Sequence, residues 1–386
     1  MKNDTKIATR FPVKTVLPRI FPLSRVCFHL LLYHKCTVVN RLPWYQGTGR
    51  EGLFYRGILK AMITVRPIEN QTEWDEVLLE KGAHPLQLWG WGEVKAAHNW
   101  RVRRVGVYRG EELFGTAQLL IRRLPWPLKA LVYVPRGPVC AIQDREVVLE
   151  ELAHYAKKTY HAVALTIEPD WEGGLALPGW RRSTNTILIP RTLILDLTLS
   201  EDELMASMAK KTRQYIRKSA GEALEIRKVV SREELDACLA IYKQTAQRAG
   251  FALHADQYYY DVFDKLGEYS VLMAAFNDNQ PVAFLWDVIS ATTSFELYGG
   301  MNDLGQQLRA NYALKWQTIQ RMKQWGLRRY DMNGLLNDGV STFKQSFAEH
   351  ENMLAGTCDM PLSPLYIVWD KALPLGKKLL RKLKNR

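Results

Sequence analysis

Hairpins recur along this chain at the points where a parallel sheet would need crossover helices. Residues 103–108 and 112–122 are predicted as two strands because apolar and β-branched side chains dominate them, and Arg109-Gly110 between them suits a tight turn. A second group of predicted strands follows at 271–276, 282–289 and 293–299. Because hairpins join antiparallel neighbours, we predict an α+β fold of two consecutive units, each a mixed, largely antiparallel sheet flanked by helices. A doubly wound parallel sheet does not fit this order of elements.

The unit boundaries are predicted from the two points along the chain at which the alternation of strands and helices starts. Residues 1–61 mix Pro, Arg and short apolar runs without a sustained period, which predicts a leader before a true start at Met62. A disordered basic arm and a targeting peptide are the alternatives. We predict the first unit at 62–190 and the second at 191–355.

Other predicted elements surround the hairpins. Ser200 with Glu203 three residues later forms a capping box that opens a helix predicted to run to Ala220. A long helix is predicted at 310–325. Its core side is predicted to carry Tyr312, Trp316, Ile319 and Met322. The remaining predictions are a helix at 144–160 and strands at 130–135, 163–168, 184–189, 193–197 and 329–332.

The basic character of the chain is concentrated at its two ends. The formal net charge is +13, of which residues 1–61 contribute +9 and residues 371–386 contribute +7, so that the body between them is slightly acidic. Basic ends suit tRNA or an anionic membrane surface, but bulk charge selects neither. In the tail the cations alternate with leucines, which suits peripheral membrane contact; tRNA binding and a solubilising terminus are the alternatives.

Cysteine and histidine usage narrows the chemistry. Five cysteines are scattered without a CxxC pair, which predicts reduced thiols in a cytoplasmic protein. Eight histidines lack a metal spacing such as HExxH, so we predict no catalytic metal.

Two segments of the first unit present isolated cations. In residues 87–100 (QLWGWGEVKAAHNW), the tryptophans suit an aromatic core, whereas Lys95 is predicted on a turn that faces a groove. In residues 133–139 (YVPRGPV), two prolines and a glycine bracket Arg136 directly after a strand, and a rigid arginine suits a phosphate or carboxylate. An ordinary exposed loop arginine is the equal alternative.

A third segment, KKTRQYIRKSA at 210–220, holds five cations within nine residues in the C-terminal part of the predicted helix. A solvated face whose cations complement the helix dipole is one interpretation. We favour a strip that binds phosphates of tRNA or of a nucleotide-linked sugar. The residues of this strip are Lys210, Arg213, Arg217 and Lys218.

A fourth segment lies near the end of the second unit. Asp331 and Asn333 are predicted at the end of a strand that leads into a polar loop, where sites commonly lie. Lys344 follows between Phe343 and Phe347, and these aromatic neighbours are expected to desolvate its charge in part. A desolvated cation stabilises developing negative charge strongly, which suits catalysis.

The order of these segments resembles that of the Fem family of aminoacyltransferases. The matching set covers residues 62–366 and consists of QLWGWGEVK, YVPRGPV, KKTRQYIRKSA, YGGMN, RANYALKW, YDMNG and TFKQSF. The resemblance implies two tandem domains of the N-acetyltransferase (GNAT) type, with the C-terminal segment 356–386 returning to the first domain.

The resemblance also implies the reaction. Fem enzymes transfer an amino acid from aminoacyl-tRNA to an amine on the stem peptide of a lipid-linked or nucleotide-linked peptidoglycan precursor, and this aminolysis needs no cofactor. Lys344, in the Phe-Lys position, is expected to be catalytic. Substrate-binding roles are expected for Lys95, Arg136, Tyr298, Asn333 and Phe343.

Several alternatives remain open from the sequence. Glycyl-bridge members of the family carry a long helical hairpin in the second domain, whereas here a short predicted strand and a helix at Ser231 follow Ala220, so the chain resembles the shorter members. A GNAT-type acyltransferase using acyl-coenzyme A is the main rival, but its only candidate pyrophosphate turn, 305–310, lacks a second glycine. A non-catalytic tRNA- or membrane-binding relative and an enzyme that modifies a protein N-terminus are the others.

Overall fold

The structure, a computed structural model, describes residues 63–336 and 338–371 of the 386-residue chain. The predicted leader and almost all of the predicted basic tail lie outside the described residues. No helix in the described part has both the length and the apolar run that a membrane crossing requires.

The first part of the described chain alternates hairpin-linked strands with three helices. Its elements are β1 (Ile63–Pro67), α1 (Gln71–Glu80), α2 (Trp89–Ala97), β2 (Arg101–Arg109), β3 (Glu112–Arg123), β4 (Ala130–Pro135), β5 (Val139–Cys140), α3 (Arg145–Tyr160), β6 (Ala162–Glu168) and β7 (Arg181–Arg182).

The second part repeats this plan with more helices. Its elements are β8 (Arg191–Thr192), β9 (Ile194–Asp196), α4 (Glu201–Ala206), α5 (Lys210–Ser219), β10 (Glu225–Lys228), α6 (Arg232–Ala249), α7 (Asp256–Lys265), β11 (Ser270–Asn277), β12 (Gln280–Ile289), β13 (Thr293–Met301), α8 (Asp303–Gln307), α9 (Ala310–Gln324), β14 (Arg329–Asp331), α10 (Gly339–Gln345), β15 (Asn352–Met353) and β16 (Cys358–Pro361).

The first sheet runs in the order β1-β2-β3-β4-β6-β16-β7, and β5 pairs with β3. Its strands are antiparallel neighbours except β4 and β6, which are parallel and stay paired from Ala130 opposite Ala162 to Pro135 opposite Glu168. Apolar residues on one face of α3 fill the core beneath these strands. β16 comes from the far end of the chain and completes the sheet beside β6.

The second sheet runs in the order β10-β11-β12-β13-β14-β9. Its parallel pair, β13 and β14, is joined only from Thr293 opposite Arg329 to Phe295 opposite Asp331. A register shift in the β12–β13 ladder then leaves Leu297 as an extra residue. Such bulges bend a strand, and the remainder of β13 continues without β14 beside it.

A shared core joins the two sheets. Trp91 and Val94 of α2 belong to the same buried cluster as apolar residues of α6, α7 and β12. The hydroxyl of Thr292 also donates to the carbonyl of Gly82, at 3.2 Å. The two mixed sheets flanked by helices confirm the predicted α+β fold class, whereas the division at 190 stays a prediction.

Two predicted elements are wrong for local reasons. Residues 184–189 form no strand, and the Glu168 carboxylate instead accepts hydrogen bonds from the backbone amides of Ile187 and Leu188, at 2.9 and 2.8 Å. The helix predicted from the capping box at Ser200 is interrupted, because α4 ends at Ala206 and α5 begins only at Lys210. The capping box itself is confirmed.

Candidate active site

A cavity of about 610 Å³ lies beside the part of β13 that extends beyond its pairing with β14. This volume is within the usual range for small-molecule sites. Its walls come from the second half of β13, the end of α6, the start of α9 and the helix α10. The parting of the two parallel strands therefore creates the space for a ligand.

Lys344 reaches this cavity from the short helix α10. The Asp338 carboxylate starts the helix by accepting hydrogen bonds from the amide and the hydroxyl of Ser341, at 2.8 and 2.7 Å. The Lys344 ammonium lies 3.5 Å from the carbonyl oxygen of Gly334. Burial lowers the pKa of Lys344, and the neighbouring Glu296 carboxylate opposes this effect. The prediction of a partly desolvated lysine agrees with this geometry.

Phe343 and Tyr298 line the same cavity. The Phe343 ring contacts Tyr312 edge-on, with 5.0 Å between centroids. Tyr298 is surrounded by other rings, among them Tyr259 at 5.3 Å. Burial raises the pKa of Tyr298 well above its usual value, so its hydroxyl stays protonated and can donate a hydrogen bond.

Lys95 lies in the last turn of α2, whereas the sequence predicted it on a turn after Gly92-Glu93, which are themselves inside this helix. Its ammonium donates to the Tyr258 hydroxyl at 2.7 Å and lies 4.3 Å from the Trp91 ring centroid. The Tyr258 side chain in turn interacts with that of Tyr298. Burial, helped by Arg122, lowers the pKa of Lys95 to about 8. Lys95 thus connects with the cavity through two tyrosines.

Glu296 and Lys315 form a buried ion pair in the cavity wall that the sequence reasoning missed. Their side chains are only 5% and 4% exposed, and the Tyr330 hydroxyl donates to the same Glu296 oxygen at 2.8 Å. One sequence signal existed for Lys315. It follows Tyr312 by three residues on the predicted core side of a helix, where a lysine requires a partner.

Asn333 does not line the cavity, but it holds the turn beside it. Its backbone amide donates to the Asp331 carboxylate at 2.8 Å, and its side-chain amide donates to the Glu296 carbonyl at 2.9 Å. Its φ of 58° lies in the left-handed region that asparagine tolerates. The next residue, Gly334, supplies the carbonyl near Lys344.

Arg136 lies at the junction between the sheets, away from the cavity. It is 2% exposed, so the alternative of an ordinary exposed loop arginine is wrong. Its guanidinium has no hydrogen-bond partner among the described residues, but it acts electrostatically on Asp331 and Asp170. Burial raises the pKa of Asp331, and the positive charges of Arg136 and Arg329 oppose this rise.

The Asp170 and Asp331 carboxylates, with His84, have the mutual distances that a metal ion could accept. Arg329 nevertheless donates to Asp170 at 2.8 Å and lies 3.5 Å from Asp331. Together with Arg136, it balances both negative charges. The cluster is therefore best described as an internal ion-pair network that links the sheets.

The predicted phosphate-binding strip lies on α5, outside the cavity lining. Lys210 occupies the first turn of this helix, not the C-terminal part of a longer one as predicted. Arg213 donates to the carbonyls of Ala206 and Met208, at 3.0 and 2.6 Å, and so caps α4. The exposed cations of the strip are Lys210, Arg217 and Lys218.

The strip is connected to the cavity by aromatic contacts. Tyr215 of α5 meets Tyr312 of α9 edge-on at 5.0 Å, and Tyr312 touches Phe343.

The candidate pyrophosphate turn of the rival acyl-coenzyme A enzyme, residues 305–310, does not form an open turn. Gly305 lies inside the short helix α8, where its amide donates to the Asn302 side chain at 2.9 Å and is not free for a phosphate.

Two consecutive mixed sheets flanked by helices, with a cavity at the parted strands of the second, give this protein the plan of a tandem GNAT-like fold. The FemAB family model matches residues 77–177, 172–280 and 273–372, and the chain belongs to the FemAB family. The predicted family is thereby confirmed.

Curated relatives and a solved structure agree with this assignment. The chain is 24% identical over 402 residues to a lipid II:glycine glycyltransferase of Staphylococcus epidermidis, covering 79% of this chain and 96% of the relative. It is 26% identical over 277 residues to the enzyme of that name from Staphylococcus aureus, covering 66% and 62%. The crystal structure of FemX matches with a TM-score of 0.71 at 19% identity, covering 80% of this chain and 100% of FemX.

Proposed function

We propose that this protein is an aminoacyltransferase that moves an amino acid from aminoacyl-tRNA to an amine on the stem peptide of a lipid-linked peptidoglycan precursor. The observation that carries the proposal is the cavity at the parted strands of the second sheet, where Lys344 lies beside the Glu296–Lys315 pair. Membership of the FemAB family and the lipid II:glycine glycyltransferases among the relatives support it.

The attack of an amine on an aminoacyl ester requires few catalytic side chains. The acceptor amine attacks the ester carbonyl carbon, a C–N bond forms, and the C–O bond to the tRNA ribose breaks. One amine proton leaves with the ribose oxygen, and the carbonyl oxygen carries negative charge in between. Lys344 is proposed to stabilise that charge, because a cation in a recessed site acts strongly on a developing anion. Phe343 and Tyr298 are proposed to align the two substrates.

The remaining groups are proposed to bind substrate parts outside the cavity. Lys95 is proposed to contact the precursor, since it reaches the cavity through Tyr258 and Tyr298. The α5 strip is proposed to contact tRNA phosphates. Arg136 and Asn333 are proposed to act indirectly, by holding the sheet junction and the turn next to Lys344. Aminoacyl-tRNA implies a cytoplasmic site of action, with membrane contact proposed through 371–386.

The test is a transfer assay with the full chain, a pool of radiolabelled aminoacyl-tRNAs and a precursor embedded in vesicles. We expect label on the precursor with one donor amino acid, and none when the tRNA is deacylated beforehand. Absence of label with every donor, together with consumption of acetyl-coenzyme A in the presence of an amine, would contradict the proposal.

A further inference from the structure

One end of the first sheet gathers several connections of the chain. Arg101 at the start of β2 pairs with Ile121 near the end of β3, Arg123 pairs with Ala130 at the start of β4, and Ala130 pairs with Ala162 at the start of β6. The loop before β2, the β3–β4 hairpin and the α3–β6 turn therefore meet at one edge of the molecule. We call this region the basic end.

The basic end carries charge of one sign. Residues 98–101, 122–130 and 157–162 contain no Asp or Glu. The exposed cations in these segments are Arg101, Arg122, Arg123, Lys129, Lys157 and Lys158. Such a cluster creates a local positive potential although the body of the chain is slightly acidic.

An exposed tryptophan projects from this charged region. Trp126, between two prolines at the tip of the β3–β4 hairpin, is 89% exposed, the largest fraction among the large apolar residues that the structure describes. The hairpin is held closed by hydrogen bonds from Leu124 to Lys129 and from Leu128 to Pro125, at 2.8 and 2.9 Å. The two leucines pack inward against the sheet. The indole is therefore presented outward on a firm support.

A second apolar segment lies on the same face. After β16, Leu365 and Trp369 pack on the buried cluster that also receives Leu124 and Leu128. Ile367 and Val368, between the first two, remain 61% and 56% exposed. Beyond this segment, residues 371–386 hold seven cations and five leucines and no acid.

We propose that the basic end is a docking surface for an anionic phospholipid bilayer, with Trp126 at the headgroup level and the surrounding cations facing lipid phosphates. Tryptophan prefers the membrane interface because its ring is apolar and its N–H is polar. Lys and Arg beside it gain from the negative surface potential. The six exposed cations, with no acid in the same three segments, are complementary in charge to such a surface. Docking on a lipid surface therefore needs no apolar groove on the protein.

This docking orientation also suits the position of Lys95. The α2 helix that carries Lys95 leads directly to Trp100, whose ring centroid lies 4.1 Å from the Arg122 guanidinium at the basic end. A membrane held at this end would therefore lie on the side of the molecule where α2 ends, close in sequence to Lys95. Vesicle binding can be measured without any transfer reaction. The docking proposal can therefore be tested even if the proposed aminoacyl transfer is not observed.

The first experiment measures sedimentation of the full chain with phosphatidylcholine vesicles, with and without phosphatidylglycerol. Each cation near an anionic surface contributes about fivefold to binding, so the triple variant Arg123→Gln, Lys129→Gln, Lys158→Gln should bind on the order of 100-fold more weakly. The matched control Lys210→Gln, Arg217→Gln, Lys218→Gln removes the same charge from α5 and should stay close to wild type. Equal losses in the two triples would overturn the proposal.

The second experiment tests insertion of the indole. Vesicles of brominated phosphatidylglycerol should quench part of the fluorescence of the wild type, and Trp126→Phe should lose that quenching while it remains bound. Trp325→Phe, at an exposed position outside the basic end, should keep it. Unchanged quenching in Trp126→Phe contradicts the proposal. Binding to single-stranded RNA but not to vesicles, lost in the first triple variant, would instead make the surface a nucleic-acid site.

Discussion

The parallel strand pairs of the two sheets differ in how far they stay together. In the first sheet, β4 and β6 are paired over the whole of β4, from Ala130 to Pro135. In the second sheet, β13 and β14 are paired only from Thr293 to Phe295. Each pair is connected through one long helix, α3 or α9, so the same strand–helix–strand plan appears in two forms.

The consequence of this difference is chemical. The closed pair has an apolar interior against α3, and its end is occupied by Glu168, whose carboxylate accepts hydrogen bonds from Tyr133 and Thr357. The parted pair leaves room for a cavity in which Glu296, Lys315 and Lys344 come together. One plan therefore yields a scaffold when the strands stay paired and a site when they separate.

The largest effect is expected at the parted pair, from Lys344→Met. Loss of one group that stabilises the oxyanion should lower kcat by about 10²–10³-fold, while the melting temperature stays near that of wild type. Steady-state transfer assays measure the first and calorimetry the second. Lys228→Met, on the edge strand β10, is the matched control. Wild-type turnover in Lys344→Met would remove the catalytic role of the second sheet.

The second prediction concerns the ion pair in the same region. Glu296→Gln leaves Lys315 as a buried unpaired cation and should reduce the free energy of unfolding by about 3–5 kcal/mol. The double variant Glu296→Gln, Lys315→Met should recover part of this loss, because the unpaired ammonium of Lys315 is removed as well. Urea unfolding gives both values. A double variant less stable than the single one would show that the pair is not coupled.

The closed pair should respond through stability alone. Leu165 of β6 is fully buried, and Leu165→Ala should lower the free energy of unfolding by about 2–5 kcal/mol through the lost contacts and the cavity left behind. At a temperature well below melting, kcat should equal that of wild type. Leu304→Ala, at a 41% exposed position, serves as the control with a small effect. A fall in kcat would contradict the prediction that the first sheet contributes to stability alone.

Lys95 connects the two regions, and its titration is expected to affect precursor binding. Its pKa of about 8 means that the ammonium is lost as the pH rises through that value. If the charged form binds, affinity should fall about tenfold between pH 7 and 9, since the charged fraction falls by that factor. Lys95→Arg keeps its charge and should bind equally at both values. Isothermal titration with a soluble precursor analogue measures this, and a flat wild-type profile would contradict it.

The smallest effect is expected outside both strand pairs, on α5. Arg217→Gln with Lys218→Gln should raise KM for aminoacyl-tRNA severalfold and reduce the slope of log affinity against log salt by about 2, because two phosphate contacts are lost. The value of kcat should not change. Filter binding across a salt series gives the slope. The same slope in wild type and variant would mean that tRNA binds elsewhere.

Sequence patterns predicted the fold class and the elements of this comparison, but not the comparison itself. Periodicity identified the strands that became β4, β6 and β13, yet it carries no information on how long two strands remain paired. Lys344 could be singled out because Phe343 and Phe347 flank it locally. Glu296 and Lys315 were missed because each lies among apolar residues in its own element, where the sequence gives no sign of a partner. Only the fold brings the two side chains together. The burial of Arg136 likewise depends on residues distant in the sequence.

The return of β16 to the first sheet also sets an order of events during synthesis. β16 lies between β6 and β7 and pairs with both. A nascent chain that has left the ribosome only as far as Pro190 therefore has an open edge on β6 and no partner for β7. Unpaired edges promote association with other chains. The first sheet is therefore begun first and completed last, and its β6 edge stays unpaired until residue 361 has emerged.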